Sequence, residues 1–268
     1  MSSTLRIAVI LPAAGASRRF DPEGLGRSKL DEDLGGRPVL QRTIELFNAR
    51  DEVTAIIVAG PADDEAFAQF KHRHADKLSL LGVTLCRGGR THRYETVREA
   101  LSLVPHDATH VAVHDAARPC SPMDLIDRVF DAASKYPAVI PALDSGDTLK
   151  RVSDRQADDR DVDPLAGILG APPANTRVRI VETTIDRTRL VAVQTPQVFR
   201  ADLLRRAYTQ QDLSSTDDAQ LVERLGEEVT VVEGDARNLK ITRPMDLRLA
   251  RAILGVREPD GRATHKKF

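Results

Sequence analysis

Apolar residues in this chain fall into short, nearly continuous runs that alternate with segments in which they recur every three or four positions. Runs of the first kind suit strands covered on both faces of a parallel sheet, and spacing of the second kind gives a helix one apolar stripe. The pattern predicts strands at Arg6–Leu11, Val53–Val58, Val83–Cys86, His110–His114, Ala138–Pro141, Leu190–Val193 and Val229–Val232. Helices are predicted at Val39–Phe47, Glu65–Lys71, Glu95–Leu103, Met123–Ser134, Ala201–Thr209, Asp217–Leu225 and Pro244–Leu254. Pro244 suits a first helical position, with Thr242 as the expected cap. Strands alternating with helices predict an α/β fold with a largely parallel, helix-covered sheet.

Two segments break the rhythm. Asp21–Gly36 is polar and glycine-rich, and a loop of that length beside a ligand site reads as a lid. Asp144–Arg189 mixes charge clusters with a proline-rich stretch, and sheet-like segments resume on both sides. It reads as a projecting arm inserted in a single domain spanning residues 1–268. The charged tail from Arg257 to Phe268 is expected to be disordered.

Composition narrows the class. With 268 residues, 41% hydrophobic and 29% charged, the chain is long enough for a large α/β core. A net charge of −1 argues against non-specific nucleic-acid binding, so any anion site must be local. Cys86 and Cys120 are too few for a disulfide framework or a cysteine zinc site. No apolar run approaches membrane-spanning length and the N-terminus makes a poor signal peptide, so a cytoplasmic location is expected.

Candidate chemistry sits where predicted strands end. After the first, Pro12, Ala13, Ala14, Gly15, Ala16 and Ser17 carry almost no side chain, and Arg18 and Arg19 follow. Backbone N–H groups in such a loop can cradle a phosphate, though a plain strand-to-helix turn has the same composition. Gly88 and Gly89 open a second turn leading to Thr96, with the same two readings. Asp115 and Arg118 follow the strand at His110–His114; Asp115 suits a metal-bound phosphate, a sugar hydroxyl or a helix cap. His110 and His114 read as packing or surface residues. Lys240 could point back to the strand ends or into solvent, and Thr216 reads as a helix cap. The acidic run Asp158–Pro164 lacks the glycine and closing glutamate of a calcium loop.

Taken together and in order, PAAGASRR, the lysine of RSKL, GGRPVL, VHDAARP, DTLKR, QTPQVF, TDDAQLVE and NLKITRP resemble the 2-C-methyl-D-erythritol 4-phosphate cytidylyltransferase family. The resemblance runs from about Ile7 to Ala252. It implies a Rossmann-like fold of the nucleotide-diphospho-sugar transferase type, with the arm used for homodimerisation. It implies CMP transfer from CTP to 2-C-methyl-D-erythritol 4-phosphate with release of pyrophosphate, in non-mevalonate isoprenoid biosynthesis, with Mg²⁺ as cofactor and no nucleic-acid or membrane partner.

By position, the resemblance makes Arg19, Lys29 and Lys240 catalytic. It assigns Pro12, Ala13, Ala14, Gly15, Ala16, Ser17, Gly88, Gly89, Thr96 and Asp115 to the nucleotide, and Asp115 to the metal. It brings Arg118, Thr148, Arg187, Thr195 and Thr216 toward the second substrate, some across a dimer. Lys29 is expected to be exposed on the lid. The chain departs from the family pattern in three places. Where the family has Pro-Lys-Gln and an aromatic, it reads Ser28, Lys29, Leu30 and Asp31. The glycine turn at Gly88–Thr96 is one residue longer, and the arm carries a polar insertion around Ser153–Val178. Two alternatives stay open: transfer to another alditol phosphate such as ribitol 5-phosphate, or a non-catalytic nucleotide-binding protein on the same fold.

Overall fold

The computed structural model describes residues 5–156 and 179–257. The acidic run, most of the arm insertion and the tail beyond Arg257 lie outside the described residues.

The first strand, β1 (Ile7–Pro12), explains the architecture. Its side chains alternate between two faces, and both are buried: Ile7, Val9 and Leu11 enter one hydrophobic cluster, Ala8 and Ile10 another. The first cluster is closed by α1 (Val39–Asn48), α2 (Asp64–Leu80), α4 (Met123–Ala133) and α7 (Pro244–Leu254). The second is closed by α3 (Arg93–Leu101), α5 (Ala201–Ala207) and α6 (Ala219–Glu223). A strand covered on both sides has no need of polar alternation, which is why IAVIL reads as one apolar run.

Around β1 the sheet contains β2 (Val53–Gly60), β3 (Thr84–Arg87), β4 (His110–Val113), β5 (Ala138–Asp144), β9 (Gln197–Arg200) and β10 (Thr230–Glu233). Their order is β10-β5-β9-β4-β1-β2-β3. All neighbours pair in parallel except β9, which runs antiparallel to both β4 and β5. The sheet is therefore mixed, though mostly parallel.

Most predicted elements appear within a few residues of their expected bounds, and the differences have identifiable causes. β9 was not expected: it is four residues long and half polar, yet Gln197 is buried in it. α2 runs to Leu80, nine residues past the expected end at Lys71. Its buried stripe is Phe70, His74 and Leu78, so a histidine occupies the middle of the apolar face and hides the period. Thr242 does not cap α7: Arg243 holds the N-cap position, and the Asp246 carboxylate accepts from the N–H groups of Thr242 and Arg243 at 2.8 and 2.7 Å. Thr216 does not cap α6 either, because Asp217 Oδ1 accepts from Gln220 N at 3.1 Å.

Residues Asp144–Ala192 form a compact unit of their own. It contains β6 (Leu149–Gln156) and β7 (Arg179–Ile185), paired antiparallel with Leu149 opposite Ile185, and it runs into β8 (Val191–Val193). Leu149, Ile180 and Val181 are exposed on this ribbon.

Candidate active site

The loop leaving β1 is held open by its own backbone. Ser17 adopts a left-handed conformation (φ 52°), uncommon for a residue with a side chain, and its carbonyl accepts from Phe20 N and Asp21 N at 2.8 and 2.9 Å. Ala13 N donates to Ala59 O of β2, which fixes where the loop starts. A Cβ at Gly15 would meet nothing within 4 Å, so the space over the loop is left for a ligand. The glycine turn after β3 closes from the other side. A Cβ on Gly88 would lie 2.7 Å from Thr96 Cγ2, and one on Gly89 would lie 2.1 Å from Glu95 Cβ. Only glycine allows this approach. The Thr96 hydroxyl is buried and accepts from Gly89 N at 3.1 Å, so it braces the turn.

Between the two turns lies a cleft of about 430 Å³. Its walls include Pro12, Ala13, Ala14, Gly15, Ala16, Gly89 and Thr96, and six cations: Arg18, Arg19, Lys29, Arg90, Arg93 and Lys240. The sole acid in its lining is Asp115. A second cavity of about 750 Å³ adjoins it across the same small-residue loop and includes Ser17.

Asp115 follows β4 and is almost completely buried. Its Oδ2 receives Arg118 Nε at 2.9 Å and Lys240 Nζ at 3.0 Å, while its Oδ1 faces Arg93 Nε at 3.9 Å. Burial alone would raise the carboxyl pKa, but Lys240, Arg118 and Arg93 outweigh it and hold the group ionised far into acid. No helix is capped by it, which removes that reading of the sequence.

The backbone under Asp115 is equally fixed. Asp115 N donates to Thr195 Oγ1 at 3.0 Å, and the same hydroxyl lies 3.2 Å from His114 Nδ1. His114 Nε2 is 3.2 Å from the Arg118 carbonyl, an acceptor only, so the ring proton sits on Nε2 and Thr195 donates to Nδ1. Burial pushes the His114 pKa down to about 4, so the ring stays neutral at physiological pH. Arg118 Nη1 also reaches Asn238 O at 2.6 Å, and Asn238 Nδ2 reaches Thr195 O at 2.8 Å. Asn238 is fully buried and joins the Lys240 segment to the loop after β4 and the start of β9.

Lys29 is not the exposed lid residue expected from the sequence. The segment that carries it is pinned by buried Phe20, Leu30 and Leu34, and Lys29 itself is half-buried. Its N–H donates to Ser17 Oγ at 3.3 Å and its ammonium to Ile241 O at 2.9 Å. Burial, then the neighbouring charge of Lys240, lowers its pKa to about 8 despite the opposing pull of Asp115.

Other expected residues lie elsewhere. Thr195 is buried and its hydroxyl is engaged inside the protein. Thr216 is exposed and lines neither cavity. Thr148 and Arg187 belong to the unit Asp144–Ala192, at the same end of its ribbon, where Arg187 Nη1 donates to the carbonyls of Ser145 and Gly146. Two residues that the sequence reading missed matter here. Asn238 is one. Arg93 is the other: it lines the cleft while its Nη1 bonds to buried Asp218 at 2.6 Å, and Asp218 also accepts from Tyr208 Oη at 2.5 Å. The unusual length of the glycine turn is the signal that could have drawn attention to Arg93.

The chain is similar to known proteins along nearly its whole length. Residues 7–163 and 166–256 match the profile of the 2-C-methyl-D-erythritol 4-phosphate cytidylyltransferase family. A protein of that name from Frankia casuarinae is 41% identical over 256 residues, covering 95% of this chain and 83% of its own length. One from Solibacter usitatus is 37% identical, covering 97% and 99%. The crystal structure of 2-C-methyl-D-erythritol 4-phosphate cytidylyltransferase from Thermus thermophilus is similar with a TM-score of 0.66 and 30% identity, over 94% of this chain and 100% of that one. The chain belongs to the 2-C-methyl-D-erythritol 4-phosphate cytidylyltransferase family.

Proposed function

We propose that the chain transfers CMP from CTP to 2-C-methyl-D-erythritol 4-phosphate, releasing pyrophosphate, as a step of non-mevalonate isoprenoid biosynthesis. The observation that carries this reading is the charge of the cleft: six cations and one carboxylate already neutralised by its neighbours. Such a site favours a polyanion held against backbone N–H groups.

The chemistry needs little more. An oxygen of the acceptor phosphate attacks the α-phosphorus of CTP, and the bond from that phosphorus to the bridging oxygen breaks. The electron pair leaves on pyrophosphate. The nucleophile is anionic near neutral pH, so no strong general base is required, and catalysis is positioning plus charge neutralisation. Arg19, Lys29 and Lys240 supply that charge, with Lys29 and Lys240 converging on the Asp115 end of the cleft. The small-residue loop Pro12–Ser17 and the Gly88–Gly89 turn hold the nucleotide. Arg118, which lines neither cavity and is held by Asp115 and Asn238 O, is read as orienting the acceptor phosphate from behind Asp115.

Mg²⁺ belongs to the same proposal. Asp115 Oδ1 faces Arg93 Nε at 3.9 Å, beyond hydrogen-bond distance, so this oxygen could join phosphate and water oxygens around a hard ion. When bound, the ion would neutralise phosphate charge. Among the described residues no three acidic, histidine or cysteine side chains gather to hold a metal alone, which suits an ion that arrives with the nucleotide.

We read residues Asp144–Ala192 as the dimerisation arm, supported by the exposed Leu149, Ile180 and Val181, and the family resemblance assigns its Thr148 and Arg187 to the acceptor substrate. No described helix is long and apolar enough to cross a membrane, and a cytoplasmic location accompanies the use of CTP. The test is pyrophosphate release from CTP and Mg²⁺ with each acceptor. Turnover with methylerythritol phosphate is expected. Turnover with ribitol 5-phosphate alone, or CTP binding without turnover of any acceptor, would overturn the assignment.

A further inference from the structure

We infer that Asp31, clamped by Arg73 and His74 of α2, is a positioning residue that holds Lys29 in the cleft. The inference rests on the reading of Lys29 as a cation that acts on the transferring phosphate. Both oxygens of the Asp31 carboxylate are engaged by α2. Its Oδ2 meets Arg73 Nε at 2.8 Å and its Oδ1 meets His74 Nε2 at 2.7 Å.

The geometry around it leaves Lys29 little freedom. His74 is buried in the middle of the α2 stripe, with its ring centroid 4.7 Å from that of Phe70. A buried ring nitrogen needs a partner, and Asp31 provides it. Leu30 is buried between Asp31 and Lys29, and Asp31 N donates to Ser28 O at 3.0 Å, which closes a tight turn around Lys29. On its other side Lys29 is tied to Ser17 Oγ and Ile241 O. The clamp therefore anchors the segment to α2 two residues beyond the ammonium. Just before Ser28, the segment from Pro22 to Arg27 is exposed, and Arg27 is held by the neighbouring loop residues Asp21 and Glu32, not by α2.

The inference is tested by a double-mutant cycle on the full chain, with CTP, Mg²⁺ and methylerythritol phosphate. Turnover by the unsubstituted protein tests the functional reading separately. Asp31→Ala is expected to lower kcat by about tenfold or more, with KM for CTP within about threefold, because the lost positioning acts on the transition state. Arg73→Ala should lower kcat by roughly threefold. In a Lys29→Gln background neither substitution should cost anything further. An equal fractional loss in both backgrounds, or an unchanged kcat in Asp31→Ala, would overturn the inference.

The pH profile gives a second readout. A released Lys29 becomes solvated, so the alkaline limb of kcat/KM should move to higher pH in Asp31→Ala. A limb that stays in place would contradict the inference. That limb decides the question if the Lys29→Gln background turns over too slowly to measure. Arg73→Ala takes the place of Asp31→Ala in both experiments if the latter does not fold.

Discussion

The loops that leave β1 and β4 emerge from adjacent parallel strands at the same edge of the sheet, and they are built on opposite principles. Residues Ala13–Ser17 after β1 present backbone and empty space, with no side chain longer than serine. Residues His114–Ser121 after β4 are almost all buried, and their polar groups are engaged with one another: Asp115 with Arg118 and Lys240, His114 with Thr195, Ser121 with Asn238. The first loop is a mould for a ligand with its own charge and shape. The second is a rigid block of preset side chains, and it stays rigid because breaking any one bond leaves a buried partner unsatisfied. On the proposed function, binding and chemistry are thereby separated in space, and Lys29 bridges them. Its N–H donates a hydrogen bond to the first loop at Ser17, and its ammonium sits beside Lys240, which pairs with the second.

The comparison breaks most visibly at that bridge. Lys29→Ala should lower kcat by about 10²–10³, the range found when one donor to a developing charge is removed, while CTP binding stays close to normal. Pyrophosphate release and a CTP titration on the same preparation check both halves. Damage to the mould should read differently. Gly89→Ala drives a Cβ to 2.1 Å from Glu95 Cβ, and forcing the turn outward should cost ~1–3 kcal/mol, appearing as weaker CTP binding by calorimetry. Damage to the block should appear as lost stability. Thr195→Val leaves Asp115 N and His114 Nδ1 without their partner and should cost ~1–3 kcal/mol in urea unfolding, with Thr195→Ser close to normal.

The smallest effect is one of pH. Lys29 must keep its proton to act as a cation, and its pKa is lowered to about 8, so kcat/KM should fall as pH rises through that value. With an ordinary lysine value of about 10.4 the fall would begin only in that higher range. A flat profile across the window around pH 8 would show that Lys29 is not the titrating group.

How much of this was legible depended on the range of the interactions involved. The β1 run and its small-residue loop are local features, so the cradle could be read directly, though not told from a plain turn. Asp115 and Lys240 stood out by motif, but their contact joins segments far apart in the chain and only the fold brings them together. The burial of Lys29 was hidden for the same reason, since its acceptor is a backbone carbonyl at Ile241. The extent of α2 was obscured by His74, a polar residue in an apolar stripe, and the acid that satisfies it lies in another segment altogether. β9 escaped because a buried Gln197 makes the strand look like a loop. Its side chain is explained only by Asp217, which accepts from Gln197 Nε2 at 2.8 Å, and by the N–H of Ala219.

The central claim is that one cleft binds the nucleotide through its backbone mould and transfers the phosphate through fixed cations. A single-turnover experiment with CTP labelled at the α-phosphate, comparing the unsubstituted protein with Lys29→Ala, tests it most directly. The account predicts that both bind CTP with similar affinity, and that label passes to the methylerythritol phosphate acceptor about 10²–10³ times more slowly in the variant. Equal rates of label transfer at equal occupancy would contradict it.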